Sequence, residues 1–188
     1  MYKRQINILS NPINSYIKLY TNIGPNNYKS FKVRTGNKID WSLDGFFANN
    51  DGFRNDSGYD QQKIKIQSNF TLSSWDAALK ATLTNLNQET AGYINGLDSY
   101  KDEDFSKRNF NTDAYRDANS QRLSVRFKKE SKNSLISITP YVRNNDMKFF
   151  QHFLPGTPLE ENNHRSMGIV IQQISDKASY SFVRGLQT

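Results

Sequence analysis

Along most of the chain, apolar and polar side chains alternate with a period of two. Ile17 and Leu19 sit against Lys18, and Phe31 and Val33 against Lys32 and Arg34. Ile39, Trp41, Leu43 and Phe47 oppose Asp40, Ser42 and Asp44; Ile64, Ile66 and Phe70 oppose Lys63, Lys65, Gln67 and Asn69. The pattern recurs from Trp75 to Thr84 and from Arg122 to Lys128, with further candidates at 134–143, 166–174 and 179–188. Alternation of this kind predicts half-exposed β-strands, and one helical turn is expected near Thr112 to Asp117.

The connections fall into two kinds. "GNK" at 36–38, "TLSS" at 71–74, "KESKN" at 129–133 and "SDK" at 175–177 read as tight turns. Longer connections are expected from Asn22 to Asn27, 49–60, 87–119 and 144–165. Short and long alternate, which in an antiparallel up-and-down meander puts every tight turn at one end and every long loop at the other. Long loops without secondary structure of their own are usually functional.

Of the 188 residues 36% are hydrophobic and 13% aromatic, and the mean hydropathy is −0.78. This richness in Tyr and Phe argues against disorder. No apolar run approaches the roughly 20 residues of a membrane helix, which leaves open a transmembrane β-barrel with its strands of about 9–11 residues. A soluble sandwich would alternate in the same way around a buried core. The polar face carries Lys32, Arg34, Lys63, Lys65, Arg122 and Arg126, while Trp41, Phe47, Trp75 and Phe127 fall near strand ends, where interfacial aromatic girdles would lie.

The absence of cysteine excludes disulfides, thiolate metal sites and a cysteine nucleophile. A formal charge of +7 points to an anionic partner. Nucleic acid is disfavoured because the basic residues are spread over many strands, with no recognition helix or RNP-like aromatic motif. His152 and His164 match no zinc spacing, the run Asp102, Glu103, Asp104 lacks the spacing of a calcium loop, and "GPNN" and "PGTP" are turn sequences rather than phosphate loops. No catalytic, metal or cofactor constellation is read. Met1 to Gln5 have the look of translated adaptor sequence and are expected to be non-native.

Several stretches resemble the family of TonB-dependent outer-membrane receptors. "INILSNP" at 6–12 is similar to the strand that closes the plug domain of that family, and "DGFRNDSGYDQQ" at 51–62 looks like its first sizeable extracellular loop. "NLNQETAGYINGLDSYKD" at 85–102, "DAYRDANSQRLSVRF" at 113–127 and "TPYVRNNDMKFFQHFLPGTPLEENNHRSMGI" at 139–169 continue the likeness. The resemblance implies an all-β chain contributing about nine strands, residues 15–188, to a 22-strand transmembrane barrel, with 6–14 as the end of the plug. It implies an integral protein of the Gram-negative outer membrane, in contact with lipid and lipopolysaccharide. It also implies work with the TonB complex through plug segments that this sequence does not include, and uptake of a large scarce solute such as a ferric siderophore.

In that setting Arg54, Tyr59, Tyr93, Tyr100, Tyr115 and Arg116 suit an anionic ferric chelate, with Arg143 helping to attract it. Phe149, Phe150 and His152, within "MKFFQHF", add apolar and aromatic loop surface. These aromatics would equally serve to pack loop against loop. A soluble carbohydrate-binding β-module and a passive porin-like channel are the alternative functions.

Overall fold

The computed structural model describes residues 16–37, 40–150, 154–177 and 180–187. The expected adaptor residues 1–5, the expected plug end at 6–14 and His152 lie outside the described residues. The strands are β1 (Tyr16–Gly24), β2 (Tyr28–Gly36), β3 (Trp41–Asn50), β4 (Tyr59–Leu72), β5 (Trp75–Glu89), β6 (Tyr115–Ser131), β7 (Ser134–Phe150), β8 (Leu159–Lys177) and β9 (Tyr180–Gln187). They form one nine-stranded sheet in the order β1 to β9, each antiparallel to the next. The all-β, antiparallel, up-and-down architecture expected from the alternation is therefore present. Among the described residues no helix is long and apolar enough to cross a membrane, which says nothing of a β-barrel.

Register turns the alternation of single strands into two continuous faces, because the side-chain period is two and every strand is locked to its neighbour. One ladder row runs Ile17, Thr35, Leu43, Ile66, Ala81, Leu123, Val142, Met167. The next row on this face towards the loops adds Leu19, Val33, Ile64 and Leu83, and the second row towards the tight turns adds Phe70, Phe127, Ile138 and Ile171. Nothing among the described residues covers these side chains: Ile66 and Leu123 are each 43% exposed and Met167 81%. The only buried apolar residues among those described are Ala48, Ala77 and Ala114, and the buried polar ones include Ser42 and Gln67, which hydrogen-bond to each other at 3.1 Å. Among the described residues this sheet has no second layer and no core of large hydrophobic side chains.

The apolar face is bounded sharply towards the loops. The next outward residue beyond the last apolar one is Lys29 on β2, Asn49 on β3, Gln62 on β4, Asn85 on β5, Gln121 on β6, Asn144 on β7 and Arg165 on β8. The edge does not follow a ladder row. It starts at the Phe31–Phe47 pair, falls one row to Ile64–Leu83, and falls another to Leu123, Val142 and Met167. From β2 to β8 the band thus slips towards the tight turns by two rows of the ladder.

Several sequence expectations are corrected. The connection expected at Asn22 to Asn27 is a tight turn over 25–27, made possible by Asn26 and Asn27 in the left-handed region (φ 55° each), which Asn tolerates better than most residues. The loop expected at 49–60 spans 51–58 and that expected at 87–119 spans 90–114. The loop expected at 144–165 is overtaken from both sides, because β7 and β8 run on past the apolar band to Phe150 and from Leu159. There the band's own face turns polar at Asn144, Asp146 and Lys148 while Met147 and Phe149 fall on the opposite face, so the earlier alternation breaks, yet Lys148 pairs with Glu161 at 2.9 Å and Asn163 donates to Asp146 across the ladder. "MKFF" is accordingly strand and not loop. Ser175 to Lys177 likewise belong to β8, not to a turn. The helical turn lies upstream of 112–117: a 3₁₀ turn over Ser99–Lys101, then α1 (Glu103–Ser106), capped by the Asp102 carboxylate accepting from Phe105 N at 2.8 Å.

One irregularity concerns β7. Pairing with β6 lapses at Thr139 and Pro140, opposite Val125 and Arg126, and resumes in the same register on both sides. Pro140 has no N–H to give, while its pairing with Ile169 on β8 continues. A shallow apolar hollow lies over the gap, lined in part by Val125, Pro140, Val142 and Met167.

Candidate functional site

The loop end is built around Asn50 and Arg54. Asn50 accepts from Gly52 N at 2.8 Å and donates to Pro25 O at 3.2 Å, tying loop 51–58 to the β1–β2 turn. Gly52 has φ 83°, and a side chain there would meet Ser57 within 2.3 Å, so only glycine fits. Ser57 Oγ accepts from Arg54 N at 3.1 Å and donates to Arg54 O at 2.6 Å, which aims the arginine across at loop 90–114.

There the Arg54 guanidinium donates to Gly92 O and, through Nε at 2.9 Å, to Arg108 O. Two parallel links reinforce it: Asn55 N to Lys107 O at 2.9 Å and Asn109 Nδ2 to Asp56 O at 2.7 Å. At the loop base Glu89 N donates to Gly58 O at 2.9 Å, and the Glu89 carboxylate accepts from Gly58 N at 3.1 Å. The two loops are one stitched body.

Arg54, Tyr59 and Tyr115 line one hollow of about 820 Å³ beside this body. Its remaining charges are carboxylates: Asp51, Asp56, Asp60, Glu89 and Asp117. Arg54, the cation among them, is spent on backbone carbonyls, so the hollow carries the wrong sign to draw an anion. Tyr115 stacks on Phe150 with ring centroids 6.4 Å apart and planes 14° apart, a loop-end packing role. Arg116 donates to Gln88 Oε1 at 2.6 Å and sits across the ladder from Phe149. Tyr93 and Tyr100 are 72% and 68% exposed on loop 90–114, away from the hollow's lining. Arg143 is not at a loop tip. It lies within β7, directly opposite Arg122, and donates to Ser166 Oγ at 2.5 Å.

Positive charge gathers instead on the polar face of the strands. One ladder row there reads Lys18, Arg34, Asp44, Lys65, Thr82, Arg122, Arg143, and the next towards the loops reads Tyr20, Lys32, Phe46, Lys63. Arg34 pairs with Asp44, Lys32 lies 5.9 Å from the Tyr20 ring centroid, and Arg34 5.3 Å from that of Tyr16. Between β2 and β4 these rows enclose a hollow of about 400 Å³, lined by Lys32, Arg34, Asp44, Phe46, Gln61, Lys63 and Lys65.

Sequence reading had placed Lys32, Arg34, Lys63 and Lys65 on this face but had missed Phe46. Its signal was the adjacent pair Phe46–Phe47: in a strand, two neighbouring aromatics cannot both face the same way. Among the described residues no group of three or more His, Asp or Glu side chains is placed to hold a metal ion. In comparisons with known proteins, no family model matches this chain and no curated protein is significantly similar to it.

Proposed function

We propose that this chain forms part of the barrel wall of a TonB-dependent outer-membrane receptor, which takes up a large scarce solute of the ferric-siderophore kind. The observation that carries this reading is the uncovered apolar band. A sheet with one greasy face must bury it against another layer. Leaving a large aliphatic side chain in water forfeits roughly 1.5–3 kcal/mol. Summed over this face the loss rivals the whole net stability of an ordinary domain, about 5–15 kcal/mol. Hydrocarbon supplies the missing layer without a second sheet, and a meander satisfies its backbone groups strand by strand, as hydrocarbon requires. On β4 and β5 the band runs from Ile64 to Leu72 and from Trp75 to Leu83, close to the length of a spanning strand. The basic opposite face then lines a wet interior, and the stitched loops stand on one side of the membrane.

The test is the behaviour of the 188-residue chain after refolding from denaturant. It should aggregate in plain buffer and give dispersed, β-rich protein only in detergent or lipid. A monodisperse, cooperatively unfolding species in buffer would overturn the reading in favour of a soluble β-module.

A further inference from the structure

The hollow between β2 and β4 goes further than a generally basic interior. Across the ladder its residues form a two-by-three grid: Lys32, Phe46, Lys63 over Arg34, Asp44, Lys65. Asp44 pairs with Arg34, and no other carboxylate lines the hollow. The hollow's lining therefore carries four cations, Lys32 and Arg34 on β2 and Lys63 and Lys65 on β4, against the single carboxylate Asp44, which faces Lys65 across the ladder as well as pairing with Arg34. Strands lie about 4.8 Å apart, so Lys32 and Lys63 flank Phe46 from backbones roughly 10 Å apart, with β3 between them.

We propose that this hollow binds a multivalent oxyanion, a solute bearing several carboxylate or phosphate groups, with Lys32, Lys63 and Lys65 as its charge partners and the Phe46 ring beneath its carbon body. Arg34 and Asp44 act as a fixed brace that holds the cradle open. The inference deepens the proposed function, naming the chemistry of the solute and a place for it on the strands, where the loop arginine Arg54 is not free to act.

The experiment is calorimetric titration of the full chain, refolded in zwitterionic detergent, with citrate and with inorganic pyrophosphate at low and at physiological ionic strength. At least one should bind saturably and more weakly as salt rises; which one distinguishes carboxylate from phosphate recognition. The triple variant Lys32→Gln, Lys63→Gln, Lys65→Gln should lose about tenfold or more in affinity, whereas Lys128→Gln with Lys129→Gln, near the β6–β7 turn, should lose nothing. Binding of neither anion by protein with β-sheet circular dichroism would overturn the proposal, as would equal losses in the two variants. A chain that binds while monodisperse without detergent would sink the membrane reading and keep this one. A chain that needs detergent and binds neither anion would do the reverse.

Discussion

Arg54 and Gly92 are joined across two loops, guanidinium to carbonyl oxygen, 38 residues apart in the chain. The bond spends a residue that looks, by type and exposed loop position, like a ligand-binding arginine. Arg54→Ala should leave the sheet intact and free loop 90–114. Hydrogen bonds to charged groups contribute about 1.5–3 kcal/mol, so local opening should become easier by roughly that amount. Proteolysis and hydrogen exchange around Gly92 and Arg108 will register it. Arg54→Lys should recover only part, since an ammonium lacks the planar fork that reaches both carbonyls.

The two faces of β5 should respond in opposite ways to the same substitution. Leu83→Arg places a charge in the apolar band and should cost about 2–4 kcal/mol on refolding into lipid vesicles, whereas Thr82→Arg on the polar face should cost little. Asn119→Arg, outward but beyond the band's edge, should fall near about 0–1 kcal/mol. Equal costs at all three positions would contradict the assignment of faces.

Pro140 makes a sharper local prediction. Pro140→Ala supplies the N–H that β6 lacks, a gain of about 0.5–1.5 kcal/mol, offset by about 0.4–1 kcal/mol from the freer unfolded chain. Global stability should therefore barely move. The new amide at position 140 should nevertheless be slow to exchange, as part of a restored ladder; rapid exchange there would show that the gap has another cause.

On α1 the Glu103 carboxyl is held below its ordinary value, first by its hydrogen bond from Lys107 and then by that cation's charge. A depressed carboxyl contributes stability above its ordinary value and loses it as pH falls through the lowered one. An NMR titration should show Glu103 protonating at higher pH in Lys107→Ala. The helical turn should be most populated at neutral pH and loosen in acid.

Strand identity was legible wherever one face is apolar, because alternation is the imprint of two unlike surroundings. It broke at 144–150 and 159–165, where the band's own face turns polar, Met147 and Phe149 fall on the opposite face, and cross-strand pairs such as Lys148–Glu161 hold the ladder. A reader of sequence takes such a stretch for loop. Pro140 falls inside the strand expected at 134–143, and only register shows that this strand is central and tolerates a single lapse there. The basic strand positions were visible from parity. What Arg54 does was not, since its partners Gly92 and Arg108 are backbone atoms that no side-chain pattern reveals.

The slipping edge of the apolar band has a geometric meaning. Two ladder rows are four residues, and spread over the six strand steps from β2 to β8 they correspond to a slope of roughly 25° between the band and the hydrogen-bond rows. Any flat apolar slab that covers the band must lie along it, so the strands cannot stand upright in that slab but lean by the same angle. Leaning strands are what a sheet needs in order to curl round on itself into a cylinder. The distribution of greasy residues thus fixes a lean of the strands that no single strand contains.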